Sequence, residues 1–148
     1  MILFITVESC PLDWAEIDDV CYKGFNDQML SFDKSLDQCK TFGGILAKID
    51  KQSKTQLIVP FLSIKNEYWI GLRNYYDQPY LEKFKWIVDN SSSTSFQNWG
   101  VGDPPDSEHQ CVVLSHIHQP GYWRWHHRLC DEDYYRICQV KRVILLGK

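Results

Sequence analysis

The 148-residue sequence lacks any apolar run near the ~18–20 residues that a membrane-spanning helix needs. It lacks a basic excess: 16 Lys and Arg against 19 Asp and Glu leave a net charge of −3, which removes the electrostatic footprint of a nucleic-acid binder. It lacks internal repeats, low-complexity tracts and a linker long enough to divide it, so it reads as one domain. No two cysteines stand in the C-x(2–4)-C spacing of a structural zinc site. A phosphate-cradling loop, a serine elbow with histidine and acid partners, and a paired acid–base set are also missing, so no enzyme class is indicated.

Aromatic residues are abundant: six Trp, eight Tyr and seven Phe, or 14% of the chain. Hydrophobic residues make up 44% and charged residues 24%, enough for a core and a soluble surface. The six cysteines, at 10, 21, 39, 111, 130 and 138, form an even set. That suggests disulfides in an oxidising compartment, against the alternative of six buried thiols, and leaves the pairing open. Asn90-Ser91-Ser92 is an N-glycosylation sequon in a polar stretch, which fits an extracellular protein. The apolar run Met1–Val7 has neither the basic start nor the small-residue cleavage site of a signal peptide. It reads as a remnant of one, a boundary, or a first strand.

Along the chain, Asp18-Asp19 is a turn inside a hairpin bracketed by Cys10 and Cys21. Phe32, Ser35, Leu36, Cys39 and Phe42 share one helical face, with Ser31 as cap and Gly43-Gly44 as stop. A second helix is predicted from Ser53, capped with Gln56 and burying Leu57, Ile58, Phe61 and Leu62, with Pro60 shortening it. Later segments are short, aromatic and β-branched: Trp69–Leu72, Phe84–Val88, Cys111–Leu114, Tyr122–His126 and Tyr135–Val140. Pro120-Gly121 turns one of them back on another. Two early helices and many late strands predict an α+β fold with a mainly antiparallel sheet. Residues 90–110, poor in apolar side chains, read as a long exposed loop.

Taken together, these landmarks resemble the C-type lectin-like domain in its long form. They are Cys10-Pro-Leu-Asp-Trp14 with Cys21-Tyr22, Cys39 with Phe42–Ala47, Trp69-Ile-Gly-Leu72, Phe84-Lys-Trp86, Phe96-Gln-Asn-Trp99, Cys111-Val112, Trp125 with Cys130, and Ile137-Cys138. The match covers residues 10–140, with 1–9 and 141–148 as short flanks. The resemblance implies two helices, antiparallel sheets, a long loop region and three bridges: Cys10–Cys21, Cys39–Cys138 and Cys111–Cys130. The second would close nearly the whole domain, worth on the order of 4–5 kcal/mol in the loop-entropy model. Trp69, Trp86, Trp99 and Trp125 then read as core packing rather than ligand stacking.

Sugar-binding members hold calcium through Glu-Pro-Asn in the long loop, a Glu two before a cysteine, and Trp-Asn-Asp on the last hairpin. Here those positions read Asp103-Pro104-Pro105, His109 with Glu108 beside it, and Trp125-His126-His127. Proline offers no side-chain oxygen and imidazole suits calcium poorly, so the calcium site is not expected. A second cation place of the family holds Lys48, Asp50, Lys54 and Gln139; the lysines repel a cation and could bridge helix to strand themselves.

All five histidines lie within 109–127. Asp103, His109, His126 and His127 could make a zinc site, although neighbouring strand residues point to opposite faces. The plainer reading is an exposed, protonatable patch. His126 and His127 with Arg124 and Arg128 would form a cationic ridge, flanked by Tyr122 and Trp123 and opposed by Asp103, Asp106 and Glu108. His116 and His118 read as solvent-facing strand residues. With His109, and without His116 and His118, the ridge, its flanking aromatics and the opposing acids form the ten-residue candidate ligand face of loop and hairpin. The expected function is extracellular recognition of a protein or glycan without calcium, as a secreted domain or the ectodomain of a larger membrane protein. No cofactor, nucleic acid or membrane span is expected, and a homodimer is left open. The alternatives are a calcium-dependent lectin with displaced ligands and the histidine metal site.

Overall fold

The computed structural model describes residues 4–7, 9–76, 80–102, 108–142 and 144–147, with backbone alone at 4–7 and 144–147. In chain order the elements are β1 (Phe4–Val7), β2 (Ala15–Ile17), β3 (Val20–Leu30), α1 (Phe32–Lys40), β4 (Ile45–Leu46), α2 (Gln52–Ile58), β5 (Glu67–Asn74), β6 (Phe84–Trp86), β7 (Ser91–Ser92), β8 (Cys111–Ser115), β9 (Arg124–Arg128), β10 (Tyr134–Lys141) and β11 (Ile144–Gly147).

Asp18 and Asp19 both take left-handed backbone, φ 49° and 66°. That geometry matches strand twist in a two-residue hairpin and joins β2 to β3. Ser31 caps α1 by accepting from the Lys34 N–H at 3.3 Å. The helix ends where Gly43 N–H donates to Lys40 and Gly44 N–H to Cys39, with Gly43 at φ 76°. This is a Schellman stop that needs the left-handed glycine.

The second helix departs from expectation. It starts at Gln52, so Ser53 lies inside its first turn and caps nothing; Lys51 precedes it without a side-chain cap bond. Pro60 sits in a 3-10 turn, Val59–Phe61, that redirects the chain after seven helical residues. Only Thr55 and Ile58, three apart, are buried, while Leu57 and Phe61 are half exposed.

β10 is the hub of the sheet. It pairs antiparallel with β3 and β4 and parallel with β5, through Tyr135–Tyr68 and Arg136–Trp69. β5 also pairs antiparallel with β6 and β8, and β8 with β9. The sheet is therefore mixed, because the chain between β5 and β10 returns on the same side. β1 and β11 form a separate antiparallel ladder. All three implied disulfides are present: Cys10–Cys21, Cys39–Cys138 and Cys111–Cys130.

Trp69, Trp86 and Trp125 are fully buried, and Trp125 is met edge-on by Trp86, Phe96 and Trp99. Trp99 is half-buried. Gly71 explains itself by close approach: a Cβ there would meet the Leu46 carbonyl oxygen at 2.4 Å, and its N–H donates to Ala47 at 2.8 Å.

Candidate functional site

Strand alternation divides the candidate ligand face in two. Trp125 and His127 point inward, whereas Arg124, His126 and Arg128 share the other face of β9. His127 is 4% exposed. Its ring stacks on Trp99 at 4.4 Å and 17° between planes, with Phe84 at 5.1 Å. His126 is 5% exposed, and its ring lies 5.0 Å from that of His118 and beneath Gly100.

The expected exposed ridge is therefore corrected at both histidines. They are buried because the chain from Phe96 to Gly100 lies along β9, with Asn98 and Gly100 bonded to Trp125. The four-residue zinc set is divided for the same reason: His126 and His127 diverge, and Asp103 lies outside the described residues. No group of three or more His, Cys, Asp or Glu is placed to hold a metal ion among the described residues.

Arg128 is not a free cation. Its Nη2 donates to Glu67 Oε2 at 2.8 Å and lies 2.9 Å from His118 Nε2; its Nη1 donates to the His127 carbonyl. Glu67, at the start of β5, is the counter-charge that sequence reading missed. It stands 61 positions away and was visible only as a lone acid before Tyr68. The expected counter-charges Asp103 and Asp106 lie outside the described residues. Glu108 is exposed and His109 half-buried.

His116 and His118 follow β8 instead of lying on it. His116 Nε2 accepts from the Gly121 N–H at 2.7 Å and holds the turn at Pro120-Gly121. Val101, Gly102, His118, His126 and Arg128 together line a shallow cleft of about 230 Å³.

At the other end of β9, Arg124 Nη1 donates to Asn98 Oδ1 at 2.6 Å, and Asn98 Nδ2 donates to the Trp123 carbonyl at 2.9 Å. The Arg124 guanidinium lies over the Tyr122 ring at 4.9 Å. Tyr122 is 54% exposed, Trp123 half-buried. A larger cleft of about 490 Å³ lies elsewhere, between Phe42–Ile45 and Gln139–Lys141, with a mostly apolar lining.

The place between α2, β10 and the turn after β6 is filled by ammonium groups. Lys48 N–H donates to Gln139 Oε1 at 2.8 Å, and its Nζ to Asp89 Oδ2 at 2.6 Å. Lys54 Nζ donates to Asp50 Oδ1 at 2.6 Å. Burial pushes the Asp50 carboxyl up, but the Lys54 bond and the charges of Lys54 and Lys48 outweigh it, so its pKa is lowered. Asp89 is lowered in the same way by Lys48 and Ser91 against its desolvation. Lys54 is raised, because Asp50 and Tyr22 outweigh its own desolvation. The expectation that a lysine ammonium bridges the second helix to the last strand is corrected. The Lys54 ammonium bonds Asp50 and lies over the Tyr22 ring of β3, away from β10; Lys48 reaches β10 through its backbone N–H and Asp89 through its ammonium.

The family profile described as "Lectin C-type domain" matches residues 28–140. The chain belongs to the C-type lectin domain family. A C-type lectin mannose-binding isoform from Notechis scutatus scutatus is 31% identical over 140 residues, covering 89% of this chain and 84% of that protein. Human C-type lectin domain family 4 member D is 26% identical over 141 residues, covering 95% of this chain and 63% of that protein. Among solved structures, the C-type lectin domain of murine dendritic cell inhibitory receptor 2, in complex with N-glycan, superposes with a TM-score of 0.81. It is 28% identical, and the match covers 90% of this chain and all of that one. The family is one of binding domains, not enzymes. With its three disulfides this is an extracellular carbohydrate-recognition type of domain. Among the described residues no helix is long and apolar enough to cross a membrane.

Proposed function

We propose that this C-type lectin domain recognises a glycan or protein ligand without a bound calcium ion, through its long loop and the Tyr122–Arg128 hairpin. It would act as a secreted domain or as the ectodomain of a larger membrane protein. The observation that carries this reading is that positions 126 and 127 of the hairpin hold buried, diverging imidazole rings in place of carboxylate or amide oxygens; at the second cation place, ammonium groups already sit on Asp89 and Asp50, each at 2.6 Å. A cation that wanted those carboxylates would have to displace a fixed positive charge.

Calcium takes 6–8 oxygen ligands, whereas positions 126 and 127 offer imidazole nitrogens that diverge. The described donors do not suit calcium. The relatives favour a glycan over a protein: one is named mannose-binding and another was solved with an N-glycan.

A glycan array probed in EDTA and in calcium tests this. Binding that is equal in the two buffers is the expected result. Binding that appears only in calcium overturns it in favour of a calcium-dependent lectin whose ligands include the acidic loop residues Asp103 and Asp106.

A further inference from the structure

A small cleft of about 190 Å³ separates α2 from the rim of the last hairpin. Gln52, Thr55 and Gln56 line one wall; Tyr122, Trp123 and Arg124 line the other. Sequence reading placed the hairpin residues on a ligand face but gave the helix no part in it.

Arg124 is distinctive among the arginines. Arg73 pairs with Asp33, Arg128 with Glu67, Arg136 with Asp27 and Arg142 with Glu16. Among the described residues Arg124 has no carboxylate partner. It is nevertheless held in place, by Asn98 on one nitrogen and Tyr122 beneath its plane. A half-buried guanidinium fixed by neutral groups keeps its charge and its planar fork for an anion.

The opposite wall adds a second, independent observation. Thr55 is 3% exposed and its Oγ1 has no hydrogen-bond partner. A buried unpaired hydroxyl is a cost that valine, of the same shape, would not carry. Gln52 and Gln56, one helical turn apart, are exposed and place two amides beside it. Exposed Tyr122 offers a ring face. The volume is below the ~300–1,000 Å³ of drug-sized sites, so it suits one ring rather than a chain of them.

From these observations we infer that this cleft binds a single acidic sugar residue. Its carboxylate or sulfate ester would sit on Arg124, and its hydroxyls on Gln52 and Gln56, over buried Thr55. This rests on the proposed calcium-free glycan recognition and places that recognition at a site of its own, apart from His126 and Arg128.

The test is an NMR titration of the ¹⁵N-labelled, oxidised domain in EDTA with glucuronic acid, glucose 6-sulfate and glucose. The expected result is amide shifts at 121–124 and 52–56 with at least one acid, identifying which anion is taken, and about tenfold weaker binding of glucose. Arg124→Gln should weaken the acid by about tenfold or more, because a charge-assisted bond is lost. Gln56→Ala, at an exposed position that leaves the fold intact, should weaken it several-fold at unchanged Tm. Shifts confined to His118, His126 and Arg128 would overturn the cleft as the site. So would glucose binding as tightly as the acids, no shift with any sugar, or wild-type affinity in both variants. Shifts at the cleft that appear only when calcium replaces EDTA would leave the cleft standing and sink the calcium-free reading instead.

Discussion

His127 lies flat on Trp99, and Phe84 packs against both rings, so it behaves as an aromatic core residue with polar edges. His127→Ala should destabilise the domain by about 1–3 kcal/mol in urea unfolding, and His127→Phe should recover most of that. An alanine variant of wild-type stability would show the ring is not packing. Thr55 gives a prediction of opposite sign. With no partner for its Oγ1, Thr55→Val should raise stability by about 1 kcal/mol. A loss there would mean that the hydroxyl is bonded within the fold. Sequence reading gave Thr55 no role and placed His127 on an exposed patch. It gave His127 solvent because the position belongs to the family's ligand-binding face, and the loop that covers it could not be read from local pattern. At Trp69, Trp86 and Trp125 the same reading succeeded, since large aromatics in strand-like segments have few places to go but inward.

At the scale of elements, α1 was legible because every local signal agrees: cap, periodic face and glycine stop. α2 was legible in existence but not in its buried face. Seven residues and a proline turn leave too short a stripe for periodicity to decide between Ile58 and the exposed Leu57 and Phe61. The Asp18-Asp19 hairpin was read correctly from turn chemistry alone. The lysine–aspartate contacts around α2 make a pH prediction. Asp50 and Asp89 are both held below their ordinary 3.8. A carboxylate depressed in the folded state stabilises above its unfolded value, and that stability is lost as pH falls through the folded one. Stability should therefore decline below about pH 4, and Asp50→Asn should lower stability at neutral pH while flattening that acid decline. An unchanged acid limb would show that the Lys54 contact contributes nothing. Because both carboxylates are partly solvent-exposed, the effect is modest.

For the whole molecule, the fold was legible through spaced landmarks, above all the cysteines. The Cys39–Cys138 bridge spans 99 positions and ties α1 to the central strand β10. Replacing both cysteines with alanine should cost about 2–5 kcal/mol, read as a lower Tm, with Cys10–Cys21 less costly by about 2 kcal/mol because it closes only 11 positions. The site was less legible for the opposite reason: its decisive contacts join residues far apart in sequence. Glu67 meets Arg128 across 61 positions, and Gln52–Gln56 face Arg124 across the chain's middle. Charge near a residue in sequence was a poor guide to charge near it in space.

The central claim is recognition without calcium, and thermal unfolding of the oxidised domain tests it most directly. An ion that binds only the folded state adds about 2.7 kcal/mol at a hundred times its dissociation constant, a shift easily seen. The account predicts one Tm in EDTA, in millimolar calcium and in zinc. A rise with calcium that EDTA reverses would contradict it.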